Sequence, residues 1–146
     1  MNNVSKKTEI LFYALNIVLP IIIGTLIYVC VKRDSYIATV ILKVFDLPNL
    51  NEAIIPHFFR SFLKCFAADM LWAYSLTFTI YFVSGCKTGT TLTVCLIFET
   101  VLELLQKTNV IKGTFDFFDI AFEALSIALA LLIIKKFKEE KYEKVF

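Results

Sequence analysis

The stretch ETVLELLQKTNVIKGTFDFFDIAFE, residues 99–123, gathers Glu99, Glu103, Gln106, Asp116, Asp119 and Glu123. On a helix, residues three, four or seven positions apart share a face. That rule stacks Glu99, Glu103 and Gln106 into one stripe, extended back by Cys95 and Thr88, and Asp116, Asp119 and Glu123 into another. The two stripes flank a short connection, KTNVIKG, so their helices are antiparallel neighbours. Residues equidistant from the connection lie at similar height. Glu103 is then level with Asp119, with Glu99 and Glu123 about 6 Å further from the connection. Counting about 1.5 Å per residue from the turn SGCKTG brings Asp69, in the preceding apolar run, to the level of Glu99 and Glu103.

Carboxylates gathered in this way have three chemical outlets. They share protons, because like charges at one site do not all stay ionised. They pair with cations, here His57, Arg60, Lys64, Lys107 or Lys112. Or they hold a divalent cation, for which oxygen donors suit Mg²⁺, Mn²⁺ or Ca²⁺. The plain alternative is a hydrated carboxylate at the membrane surface, which applies most to Asp116 and Glu103 and least to Glu99 and Glu123. Ionisable groups inside a membrane are functional candidates by default.

The elements that position these groups are hydrophobic. Of 146 residues, 58% are hydrophobic and 15 are Phe. Soluble domains hold about 45–50%. The mean hydropathy of +0.74 also belongs to the membrane class. A helix needs about 20 apolar residues to cross the hydrocarbon. Runs at roughly 9–31, 62–84, 88–106 and 116–135 meet that length. The expected fold is an all-α integral membrane bundle of about four transmembrane helices, one domain over residues 1–146 with a charged tail at 136–146. The first run, ILFYALNIVLPIIIGTLIYVCV, exceeds the h-region of a signal peptide and has no A-x-A site after it. It reads as a retained anchor, bent at Pro20.

Between the first two runs, Ile37, Val40, Ile41 and Val44 share a helical face, with Asp34 as N-cap and Pro48 beyond the end. This segment, about 35–46, is too short to span. It reads as an amphipathic helix in the interface or packed on the bundle's side. Pro56 opens the second long helix. An even number of crossings puts both termini on one side of the cell membrane. The lysines after the last helix assign that side to the cytoplasm.

Other functions lack their residues. A net charge of +2 gives no support to nucleic-acid binding. Cys30, Cys65, Cys86 and Cys95 have no C-x-x-C spacing and read as small apolar side chains. His57 stands alone, so a zinc site of the usual kind is not available. No Ser/His/Asp arrangement, phosphate loop or dinucleotide fingerprint occurs. Trp72, almost a turn from Asp69, lines a pocket or packs between helices, and with Tyr74 it also suits an interfacial aromatic belt.

The segment ELLQ, Glu103 to Gln106, followed by GTFDFFDI, Gly113 to Ile120, resembles the VanZ-like family of small bacterial membrane proteins. ADMLWAYSL, Ala67 to Leu76, resembles the family's earlier aspartate-bearing helix. The resemblance spans roughly residues 56–134 and marks Glu103, Gln106, Asp116 and Asp119 as the family's polar positions, with Asp69 beside them. Two departures make this chain more acidic: Lys112-Gly113-Thr114 replaces a loop arginine, and Glu123 replaces an asparagine. The resemblance implies a cell-envelope role, the founding members being linked to glycopeptide (teicoplanin) resistance, and supplies no reaction. The residues themselves suggest a pocket of Asp69, Glu99, Glu103, Gln106, Asp116, Asp119 and Glu123 that binds a lipid-linked or amphipathic ligand. A metal-dependent membrane enzyme acting on a lipid headgroup and a proton- or cation-coupled transporter, dimeric at this size, are the alternatives. A subunit whose acids pair with a partner's basic helix is another. Whether the site is catalytic stays open.

Overall fold

The computed structural model of the chain describes residues 3–30, 44, 62–85, 87–108, 110–111 and 116–143. The expected helix at 35–46 lies outside them except for Val44, as do Pro56, His57, Arg60, Lys112 and the side chain of Lys64. Every regular element among the described residues is helical: α1 (Asn3–Cys30), a π-helical turn (Leu63–Ala67), α2 (Ala68–Val83), α3 (Thr88–Lys107) and α4 (Phe117–Glu143). Among the described residues, four segments are long and apolar enough to cross a membrane: Lys6–Ile27, Cys65–Val83, Thr88–Lys107 and Phe117–Glu140. The chain is a multi-pass, all-α membrane protein. Helix α4 continues through Lys135, Lys136 and Lys138, so most of the charged tail is a helical extension.

Burial is inverted relative to a water-soluble bundle. Ile10, Leu15, Leu19 and Ile22 on α1, Ile97, Phe98 and Val101 on α3, and Leu125, Leu129 and Leu132 on α4 face outward. Ser75, Thr77, Thr91, Glu99, Glu103, Glu123 and Ser126 are buried. Hydrocarbon solvates leucine as well as a protein interior does, so the polar atoms decide which face turns inward.

Helix α2 is the centre of the bundle and packs on the other three. It runs antiparallel to α1: Tyr13 meets Phe78 and Tyr81, and Gly24 lies against Ala68 and Trp72. It runs parallel to α4, where Phe122 meets Phe66 and Ser126 meets Met70. At the end that holds both chain termini, Tyr13, Phe78, Tyr81, Ala130 and Ile134 form the main apolar core. Phe12 of α1 stacks there on Phe137 of α4, ring centroids 3.7 Å apart. Mid-bundle, a smaller core joins Ala73, Cys95 and Ile127.

Polar side chains tie the helices across these contacts. Pro20 has no amide to give the Asn16 carbonyl, which loosens the α1 ladder locally. Just there, the Ser75 hydroxyl donates to the Ile17 carbonyl at 2.7 Å, and the Tyr74 hydroxyl donates to Asn16 Oδ1 at 2.6 Å. Ser126 donates to the Met70 carbonyl at 2.5 Å, fixing α4 on α2. Gly85, at φ 68°, makes the tight turn from α2 to α3. Near it the Ser84 and Thr91 hydroxyls lie 3.3 Å apart.

The α1–α2 approach depends on Gly24. A Cβ there would sit 2.7 Å from Trp72 Nε1 and 2.8 Å from its Cδ1. Gly24→Leu should therefore lower thermal stability in detergent by about 1–3 kcal/mol through overpacking. Trp72→Ala in the same chain should recover most of that loss. Additive losses in the double variant would show that the two residues do not meet.

Candidate functional site

Helix α3 buries four residues, Thr91, Cys95, Glu99 and Glu103, each four positions from the last. A strict four-residue repeat advances the stripe by about 40° per step, so it slants around the helix and follows a crossed neighbour. The buried threonine is consequently Thr91, whereas Thr88, one position in the expected stripe, is exposed in the first turn. Cys95 sits against Thr77 of α2. The stripe thus begins with small polar groups near the termini end and finishes with two carboxylates near the other end.

Those carboxylates have company. Glu99, Glu103 and Glu123 are 8%, 3% and 6% exposed. The charges of Glu99, Glu103, Asp69 and Asp119 all act on the Glu123 carboxyl, and those of Asp69 and Glu103 act on Glu99. Helices α2, α3 and α4 therefore bring five acidic side chains to one end of the bundle. By helical rise Glu99 lies about 12 Å and Glu123 about 9 Å inside the ends of their spans. One charged residue at the centre of a membrane helix costs about 2.5–3.5 kcal/mol, against about 0.3–0.6 gained per leucine or isoleucine. An outward-facing Glu99 would offset roughly six such residues, so the inward orientation is what lets α3 keep it.

The local structure around the acids is specific. Asp69 is the second residue of α2, directly after the π-helical turn, a form that occurs often at functional sites. Phe62 and Phe66 from this entry segment meet Phe122 of α4, at 6.0 and 4.7 Å between centroids. These rings join the entry segment of α2 to α4 at the position next to Glu123 in sequence. Asp69, Glu103 and Asp119 each interact with further groups. Glu123 Oε2 is buried and has no hydrogen-bond partner. A buried acceptor without a donor is costly, and a charged one more so.

The remaining expected positions behave differently. Asp116 is exposed and its Oδ1 accepts the Phe118 amide at 3.0 Å, while its carbonyl accepts the Asp119 amide at 3.1 Å. It starts α4 in the manner of an N-cap. Gln106 is half-buried, near the end of α3. Trp72 packs on Gly24 and Tyr74 bonds Asn16, so both join α1 to α2. Ser126, one turn beyond Glu123, escaped the sequence reading because a lone serine in an apolar run carries no periodic signal. Among the described residues, no group of three or more His, Cys, Asp or Glu side chains is placed to hold a metal ion.

The orphaned oxygen leads to a stability test. Glu123→Gln keeps the side chain's shape, removes one of five clustered acids and adds two N–H donors. It should hold or raise stability in detergent at neutral pH, by up to about 1 kcal/mol. Ser126→Ala, which loses a real interhelical bond, should lower it by about 0.6 kcal/mol. A marked fall for Glu123→Gln would mean that the carboxylate holds the fold together. Comparisons with protein-family models, curated proteins and solved structures return no match to this chain.

Proposed function

We propose that this chain is a VanZ-like protein of the cell envelope, with both termini cytoplasmic, whose intramembrane acidic site binds the polar head of a lipid-linked or amphipathic ligand. The observation that carries the reading is Glu123, buried, without a hydrogen-bond donor for Oε2, and surrounded by the charges of four other acids. A ligand head bearing a cation or several N–H and O–H donors would supply what the site lacks. It would also relieve the mutual repulsion of the acids, so binding and site stability would be coupled. An apolar tail would stay in the bilayer beside Phe62, Phe66 and Phe122. The residues carrying the family resemblance, Glu103 and Asp119, fall within this cluster, which supports assigning the resemblance and the site to one function.

The test is a teicoplanin-susceptibility assay on cells carrying the wild-type chain, Glu123→Gln or Glu103→Gln, with membrane-inserted protein and thermal stability measured in parallel. Each variant should return susceptibility to that of cells lacking the chain, while inserted protein and melting temperature hold. Lost folded protein would instead make the acids part of a structural ion-pair network. Unchanged susceptibility with unchanged stability would leave only hydrated carboxylates.

A further inference from the structure

At the opposite end from the acids, α2, α3 and α4 border an apolar groove of about 580 Å³. Ligand clefts are typically about 300–1,000 Å³. Leu92 of α3 and Ala128 and Leu131 of α4 form its walls, with Tyr81 of α2 at its base. Eight residues of α4, about 12 Å, separate Leu131 from Glu123, so groove and acidic site are distinct.

The rim of the groove is charged. Lys135 and Lys138 line it, together with Glu139. Lys138 Nζ lies 5.0 Å over the Tyr81 ring, which holds the ammonium near the opening. Lys135 pairs with Glu139 at 3.8 Å, but both side chains are well exposed, at 73% and 62%. Such a surface pair is weak and yields readily to a better anion. The surrounding surface has the same sign: Lys6, Lys7, Lys87 and Lys136 against Glu9 and Glu140. An apolar trough that ends at two lysines matches a molecule with a hydrocarbon chain and an anionic head.

From this juxtaposition we infer that the groove is a binding site for an anionic phospholipid, one acyl chain lying along Leu92, Ala128 and Leu131 and the phosphate held by Lys135 and Lys138. The lysines act here as point charges at headgroup depth, their stems covering the apolar rim. No contribution from the acidic end is required.

Native mass spectrometry of the full chain, released from detergent with phosphatidylglycerol or phosphatidylcholine added, reads the retained lipid directly. The wild-type protein should retain phosphatidylglycerol about fivefold or more over phosphatidylcholine, as one effective lysine contact would give. Lys135→Gln with Lys138→Gln should bring the two lipids to parity. Lys6→Gln with Lys7→Gln removes equal charge from the same end and should leave the preference intact. Ala128→Trp, which fills the groove, should reduce retention of both lipids. Equal retention by the wild-type chain would overturn the assignment. So would a preference that survives the loss of Lys135 and Lys138, or one lost equally with Lys6 and Lys7. A lipid-free dimer would place a second copy of the chain in the groove and overturn it as well. Circular dichroism and size exclusion establish that each variant is folded; if Ala128→Trp is not, the two lysine pairs decide.

Discussion

A polar atom that enters hydrocarbon needs a partner inside the protein, and among the described residues α2 takes part in the bonds that join one helix to another. Asn16 and the Ile17 carbonyl of α1 meet Tyr74 and Ser75, and Ser126 of α4 meets the Met70 carbonyl. Thr77 of α2 sits beside Cys95 of α3. Leucine and isoleucine gain nothing by choosing protein over lipid, so these contacts orient the helices while small residues set how closely they approach. Gly24, Ala68 and Ala73 sit on the same α1–α2 and α2–α3 surfaces, which allows backbones to come near enough for short hydroxyl-to-carbonyl bonds.

The interior then changes character along the membrane normal. At the termini end the core is aromatic, with Tyr13 in ring contact with both Phe78 and Tyr81. At mid-depth it narrows to Ala73, Cys95 and Ile127. At the far end Glu99, Glu103 and Glu123 occupy the positions that leucine would fill in an ordinary bundle. The apolar residues thus lie toward one end of the bundle and the buried carboxylates toward the other.

The charged surface residues follow the same division. Among the described residues, Lys6, Lys7, Lys87, Lys135, Lys136 and Lys138 lie at the termini end, where the groove between α3 and α4 opens, and Lys107 lies at the other. The carboxylates collect in the interior of the other end, where only neighbouring side chains or a ligand can solvate them.

Hydrophobic run length was enough to anticipate an all-helical fold and the four helices of membrane-spanning length among the described residues, because spanning length is set by the bilayer and not by contacts between helices. The helical period likewise placed Cys95, Glu99 and Glu103 on one face, and Asp119 and Glu123 on another, since that depends on backbone geometry alone. Period does not say how a neighbouring helix crosses, so it could not choose Thr91 over Thr88 as the buried threonine. Nor could it separate Asp116, whose oxygen is taken by the Phe118 amide, from Asp119 one turn further on. That Trp72 would lie on Gly24, and that Glu123 would be left with an acceptor and no donor, follows from how α1 and α4 seat on α2. Those are facts about partners on other helices, and a partner many residues away in the chain is chosen only when the bundle closes.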